Sequence, residues 1–193
     1  MRTLYLRDRA TDESTTIVHD QANNACYLVT GKWGLRHDAL SLYTMQGRLL
    51  AEVKQLGLGL MPKFALYLGS QRVGTIGKTL GFVSEVVYIH GLNWVIVGNA
   101  LTNHYRVFRN TTQVFRMDPD QATGGYYLTI TVNQEADEPL AILVAYVLNH
   151  WAHRKLKAPR KVRQWGFKHS AIPGMATSLD DHCFDHLNQL LNK

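Results

Sequence analysis

The stretch from Pro139 to Leu148 reads PLAILVAYVL and decides the fold of this 193-residue chain. A helix built from it is apolar on every face, which is typical of a helix that is buried all round or lies in a membrane. Asp137 and Glu138 precede it and complement the positive end of the helix dipole, and proline suits a first helical turn. A bilayer span needs roughly 20 apolar residues, so this run is too short to cross a membrane. We predict a buried helix over 139–153, with core positions at Leu140, Leu143, Val144 and Val147.

The chain before this helix has the pattern of an antiparallel β protein. Short stretches rich in Val, Ile, Tyr, Phe and Thr alternate with Gly, Asn and Asp. Polar turns recur between them, at Asp20–Asn23, Met45–Gly47, Gly69–Gln71 and Asn110–Thr112, where Gly and Asn supply positive φ. The pattern predicts about twelve strands joined by hairpins, at 3–7, 15–19, 25–30, 40–44, 49–53, 64–68, 72–76, 82–88, 94–97, 105–109, 113–117 and 126–131.

The number of strands and the apolar helix together predict that the helix lies inside a barrel. Eight strands close into a barrel that their own side chains fill, whereas about twelve leave a space that needs a plug. At about 1.5 Å per residue, a helix over 139–153 is roughly 22 Å long, close to the length of six or seven extended residues. We therefore predict a mainly β fold: a closed antiparallel barrel of about twelve strands around a buried hydrophobic helix.

Three segments carry a family resemblance. They are YLVTGK from Tyr27, QGRLLA from Gln46 within a hairpin, and above all PLAILVAYV from Pro139. In their order and spacing, over about Thr3 to Trp151, they resemble the LURP-one-related family. The resemblance implies a fold similar to the tubby C-terminal domain and the phospholipid scramblases, with a closed twelve-stranded barrel around a hydrophobic C-terminal helix. It implies no settled biochemical activity.

The positive charge of the chain is concentrated in one segment. There are 21 Lys and Arg against 15 Asp and Glu, a formal net charge of +6. Between 154 and 168 there is no acidic residue, and the basic residues there are Arg154, Lys155, Lys157, Arg160, Lys161, Arg163 and Lys168. Lysine and arginine each contribute about 1 kcal/mol near an anionic bilayer, and Trp165 and Phe167 add interfacial burial. We expect this basic segment to bind anionic lipid; contact with a nucleic-acid backbone and a solvated linker are the alternatives.

The chain ends in a second apolar pattern. Ser178 is a good N-cap, and Leu179, Cys183, Leu187 and Leu191 form one stripe of a helix that runs to about Asn192. Such a stripe must be buried against the barrel or against a second subunit. We therefore expect a barrel domain at 1–153 and an extension at 154–193, and a scaffold or protein-interaction role through the last helix is the alternative function.

No motif for catalysis or for a cofactor is visible. The segment from Gly74 to Thr79 ends like a phosphate-binding loop, but Arg72 stands where that motif needs glycine. His182, Cys183 and His186 share one helix, but aspartates flank them, and we expect a solvated surface rather than a metal site. We predict a non-catalytic protein without metal or cofactor.

The cysteines and the first residues indicate the compartment. Cys26 and Cys183 lie far apart, which fits a reducing environment better than a disulfide framework. The N-terminal residues lack the apolar run of a signal peptide. We expect a cytoplasmic protein that associates peripherally with membranes.

Overall fold

All twelve predicted strands form. The computed structural model describes residues 1–7, 15–31, 39–57, 63–77, 85–99, 101–122 and 125–157. The strands are β1 (Arg2–Arg7), β2 (Thr15–Asp20), β3 (Ala25–Gly31), β4 (Ala39–Thr44), β5 (Leu49–Gln55), β6 (Lys63–Leu68), β7 (Gln71–Gly77), β8 (Glu85–His90), β9 (Trp94–Asn99), β10 (His104–Arg109), β11 (Thr112–Ala122) and β12 (Gly125–Val132). A short 3-10 turn, Glu135–Asp137, leads into helix α1 (Glu138–Lys157).

The sheet closes on itself. Each strand pairs antiparallel with the next, and β12 pairs with β1 from Val132 opposite Arg2 to Tyr127 opposite Arg7. Closure removes the unpaired strand edges that would otherwise offer a template for aggregation. The predicted closed antiparallel barrel is confirmed.

The four predicted hairpin turns each contain an Asn or Gly with positive φ, as the sequence analysis predicted. Asn23, Gly47, Gly69 and Asn110 all have positive φ, at 62°, 84°, 57° and 54°. In the first of these turns Asp20 accepts hydrogen bonds from the backbone N–H groups of Ala22 and Asn24 and from the Asn24 side chain. These bonds lower the pKa of the Asp20 carboxyl.

Helix α1 lies inside the barrel. Side chains alternate along the strands, and the inward ones belong to one apolar core that also contains the helix. Leu143 and Val144, which lie on different sides of the helix, are both fully buried, and Leu140 and Val147 are buried as well. Large inward side chains of the strands surround the helix, among them Leu4, Leu42, Phe64, Ile76, Trp94, Ile96, Tyr105, Phe115, Met117 and Ile130. The four predicted core positions of the helix are confirmed.

Several elements are longer than predicted, and the difference is largest for two of them. The helix spans Glu138–Lys157 rather than 139–153, because Arg154, Lys155, Leu156 and Lys157 are good helix formers and basic residues suit a helix C-terminus. Strand β11 continues through Pro119 to Ala122 rather than ending at Met117. Its pairing with β12 carries it past the proline, to Ala122 opposite Gly125.

The first residue of the helix is held by a buried polar cluster. Glu138, whose side chain is 1% exposed, accepts a hydrogen bond at Oε2 from the Tyr27 hydroxyl at 2.6 Å. The same oxygen accepts from Nη1 of Arg2 at 3.1 Å, and Nη2 of Arg2 lies 3.0 Å from Sγ of Cys26. Because a buried carboxylate is costly unless it is paired, these contacts fix the helix start to β1 and β3. We call this end of the barrel the helix-start end.

The cluster changes how its members ionise. Burial, together with the hydrogen bond to Glu138, raises the pKa of Tyr27 well above its usual value. Burial also raises the pKa of the Cys26 thiol, against the lowering effect of Arg2. Both groups therefore stay neutral at physiological pH.

A second ion pair holds the turn before the helix. Nη2 of Arg109 donates to Oδ1 of Asp137 at 2.7 Å, and the Arg109 guanidinium lies 5.7 Å from the centre of the Trp94 ring. Trp94 is fully buried and packs edge-on against Phe115. The chain is thus anchored to β10 immediately before it enters the barrel.

Replacement of Leu143 tests the buried position of the helix. Leu143→Ala should lower the free energy of unfolding by about 2 to 5 kcal/mol, because the barrel cannot fully collapse onto the cavity. Leu143→Asp should fail to fold, because its carboxylate would have no partner in the core. Chemical denaturation measures both effects, with Leu68→Ala, at a leucine that is 42% exposed, as the control of small effect. A soluble Leu143→Asp protein with an unchanged cooperative melt would contradict the architecture.

Removal of the Tyr27 hydroxyl tests the helix-start cluster. Tyr27→Phe should cost about 1.5 to 3 kcal/mol at neutral pH, the range for hydrogen bonds to charged groups, because Glu138 loses its shortest contact. Tyr5→Phe is the matched control, since the Tyr5 hydroxyl makes no hydrogen bond to the described residues. Equal stabilities of the two variants in urea would show that the cluster does not hold the helix.

The stability difference between wild type and Tyr27→Phe should depend on pH. The folded-state pKa of Tyr27 is raised, so its contribution is fully present below the unfolded value of about 10. It is lost as pH rises further, because the unfolded chain releases the proton first. The stability difference between wild type and Tyr27→Phe should therefore shrink above pH 10, and a difference that grows there would contradict the assignment.

Candidate functional site

The candidate site lies at the end of the barrel from which α1 leaves, which we call the helix-exit end. Nδ2 of Asn103, in the turn between β9 and β10, donates to Oδ1 of Asn149 at 2.8 Å. Two residues further on, the Trp151 ring packs at 5.7 Å from the ring of Phe64, the second residue of β6. These contacts fix where the helix emerges.

The predicted basic segment begins on this helix. Arg154, Lys155 and Lys157 belong to the last turn of α1, although their side chains are not among the described ones. These positive residues lie at the negative end of the helix dipole, and this favourable interaction stabilises the end of the helix. The other predicted binding residues lie outside the described part of the chain: Arg160, Lys161, Arg163 and Lys168.

Among the described residues, exposed apolar side chains lie at both ends of the barrel, and the sequence analysis did not predict those of the helix-exit end. Leu101 in the β9–β10 turn is 72% exposed, Tyr126 at the start of β12 is 65% exposed, and Leu56 just after β5 is 43% exposed. Arg7, the last residue of β1, and Lys63, the first of β6, are exposed beside them. A large apolar side chain such as Leu101 within a polar turn is the sequence signal that could have found this surface. The helix-exit end thus combines cationic and apolar side chains.

A second group of charged side chains lies on the outer face of β9, β10 and β11. Nδ1 of His104 and Oδ1 of Asp118 are 2.8 Å apart, and Oδ2 of Asp118 lies 3.7 Å from Nε of Arg116. Arg106 lies directly opposite Arg116 in the β10–β11 pairing. His104, Arg106 and Asp118 border a surface depression of about 270 Å³. Their positions in the sequence gave no sign of this grouping.

The weaker candidate motifs find no support in the described structure. Gly74 to Gly77 belong to strand β7, so they do not form a phosphate-binding loop before a helix. Within the described ranges no three His, Cys, Asp or Glu side chains are grouped so that they could hold a metal ion. His182, Cys183, His186 and the helix expected from Ser178 lie outside those ranges.

The described helix does not have the properties of a membrane span. In the part of the chain that the structure covers, no helix is both long enough and apolar enough to cross a bilayer.

The chain is similar to one bacterial and one plant protein. The chain is 20% identical over 132 residues to the uncharacterized protein YxjI of Bacillus subtilis (strain 168), an alignment that covers 68% of this chain and 82% of the relative. It is also similar to a protein from Arabidopsis thaliana of known X-ray structure, with a TM-score of 0.48 and 15% identity over 76% of this chain and 88% of the other.

The family comparison covers nearly the whole barrel. The model of the family described as LURP-one-related matches residues 2–149, from the first residue of β1 to Asn149, which is buried in α1. The match therefore includes all twelve strands and the helix that fills them. This chain belongs to the LURP-one-related family.

Proposed function

We propose that the protein is a non-catalytic module that binds the surface of anionic membranes through its basic segment and its helix-exit end. The observation that carries the proposal is that the basic segment begins, at Arg154, at the end of the barrel where Leu101 and Tyr126 are exposed. This combination suits the bilayer interface, where basic side chains meet anionic headgroups and apolar side chains reach below them.

The filled interior supports a function on the outside of the barrel. Helix α1 and the inward side chains occupy the centre, and the helix is fully buried from Ala141 to Ala145. A ligand that binds inside would have to displace this core. The outer surface and the ends of the barrel are therefore the places where a partner binds.

The charge of the basic segment supports an anionic partner. Each Lys or Arg close to such a surface contributes about 1 kcal/mol, and this attraction falls off within a Debye length of roughly 10 Å at 0.1 M salt. Arg154 lies in the last turn of α1, two positions after the buried Ala152, so the basic segment begins at the helix-exit end. Leu101 and Tyr126 are exposed at the same end.

Vesicle co-sedimentation of the full chain tests the proposal. The wild-type protein should sediment with vesicles that contain phosphatidylserine and stay in solution with pure phosphatidylcholine, and added salt should release it. Arg160→Glu/Arg163→Glu should abolish sedimentation. Arg48→Glu/Arg72→Glu, which makes the same charge change at exposed positions of the helix-start end, should bind like wild type.

A pair of leucine variants measures how much the apolar side chains of the helix-exit end contribute to vesicle binding. Leu101→Ser should weaken binding to the anionic vesicles by about tenfold, the value of one buried leucine side chain. Leu68→Ser, at an exposed leucine of the helix-start end, should have no effect. Equal recovery with both lipids, no recovery at low salt, or equal losses in the paired variants would contradict the proposal.

A further inference from the structure

The outer face of β9, β10 and β11 contains an arginine that has no partner among the described residues. Arg106 lies opposite Arg116 on β11 and opposite Val97 on β9. Like charges at directly opposed positions destabilise a sheet unless something neutralises them. Arg116 is neutralised, because its Nε lies 3.7 Å from Asp118 and 3.4 Å from the Thr131 hydroxyl. Arg106 forms no hydrogen bond or ion pair with the described residues.

The carboxylate that borders the depression is already engaged. Asp118 lies 2.8 Å from Nδ1 of His104 with one oxygen and approaches Arg116 with the other. Neither oxygen of Asp118 pairs with Arg106 in the described structure. The guanidinium of Arg106 is therefore available to an anion.

Two further groups in the depression are positioned to bind a ligand. Oδ1 of Asn99 accepts a hydrogen bond from the backbone N–H of Leu101 at 2.8 Å, which leaves the Asn99 NH₂ group free to donate. The contact with Asp118 uses Nδ1 of His104 and leaves Nε2 for a ligand. Asn99 and His104 are opposed in the β9–β10 pairing, next to Arg106, and all three border the depression.

We propose that this depression binds a phosphate group, with Arg106 as its principal ligand and Asn99 and His104 as secondary contacts. The planar guanidinium of arginine matches two phosphate oxygens at once, and the amide adds a neutral donor. At about 270 Å³ the depression is several times the space of one water molecule, about 30 Å³, so it admits a phosphate with an attached organic group. Val97 gives that group an apolar contact. The site uses none of the residues of the basic segment and does not rest on the membrane proposal.

Titration of the ¹⁵N-labelled full chain tests the site. Inorganic phosphate and glycerol 3-phosphate, added at constant ionic strength, should shift the amide signals of Gly98, Asn99 and His104 to Arg106 and then saturate. Arg106→Gln should weaken this binding by about tenfold or more, the effect expected for one lost charged hydrogen bond. Arg72→Gln, the same change at an exposed arginine of β7, should leave the affinity unchanged. The melting curve of Arg106→Gln should match wild type, because Arg106 has no hydrogen-bond or ion-pair partner among the described residues to lose.

Vesicles distinguish the source of the phosphate. If the ligand is a lipid headgroup, Arg106→Gln should reduce binding to phosphatidic acid, which presents a phosphomonoester, more than to phosphatidylglycerol at equal charge. If the ligand is a free phosphate compound, Arg106→Gln should weaken the binding of inorganic phosphate and glycerol 3-phosphate but should leave binding to both kinds of vesicle unchanged. Shifts that fail to saturate, or equal affinities for Arg106→Gln and Arg72→Gln, would overturn the site.

Discussion

The interior of a twelve-stranded barrel is too wide for strand side chains alone to fill, and helix α1 fills it. This constraint explains why the run from Leu140 to Leu148 has no polar face. It also explains why the strands contribute large inward side chains such as Phe64, Trp94 and Phe115. The helix covers the apolar interior of the barrel, and the barrel covers the apolar surface of the helix. Neither is therefore expected to be stable by itself.

The polar contacts at the two ends fix the helix along the barrel. At the helix-start end the carboxylate of Glu138 is buried and must keep Tyr27 and Arg2 as partners, so the helix cannot slide without leaving a charge unpaired. At the helix-exit end the side chain of Asn149 accepts a hydrogen bond from the side chain of Asn103. The core thus determines where the basic segment starts, which connects the packing of the interior to the proposed surface function.

The strands, the main turns and the helix could be predicted because their signals are local. Alternating apolar residues, Asn or Gly at turn positions and one unbroken apolar run are all readable within a few residues of sequence. The Glu138 cluster could not be predicted, because Arg2 and Tyr27 reach Glu138 only after the barrel closes. The grouping of His104, Arg106 and Asp118 also depends on the pairing of β10 and β11, where the register shifts at Val107 and Phe108. Counting residues from the turn would therefore misplace these pairs. The basic segment stays a prediction from composition.

Native-state hydrogen exchange of the α1 amides tests the central claim most directly. If the helix is the core of the barrel, the amides from Leu143 to Val147 should exchange only through global unfolding, with an opening free energy equal to that measured by denaturation. The amides of the exposed hairpin turns should exchange much faster. Exchange of the helix amides by local opening, far below the global free energy, would show that the helix lies on the surface and would contradict the account.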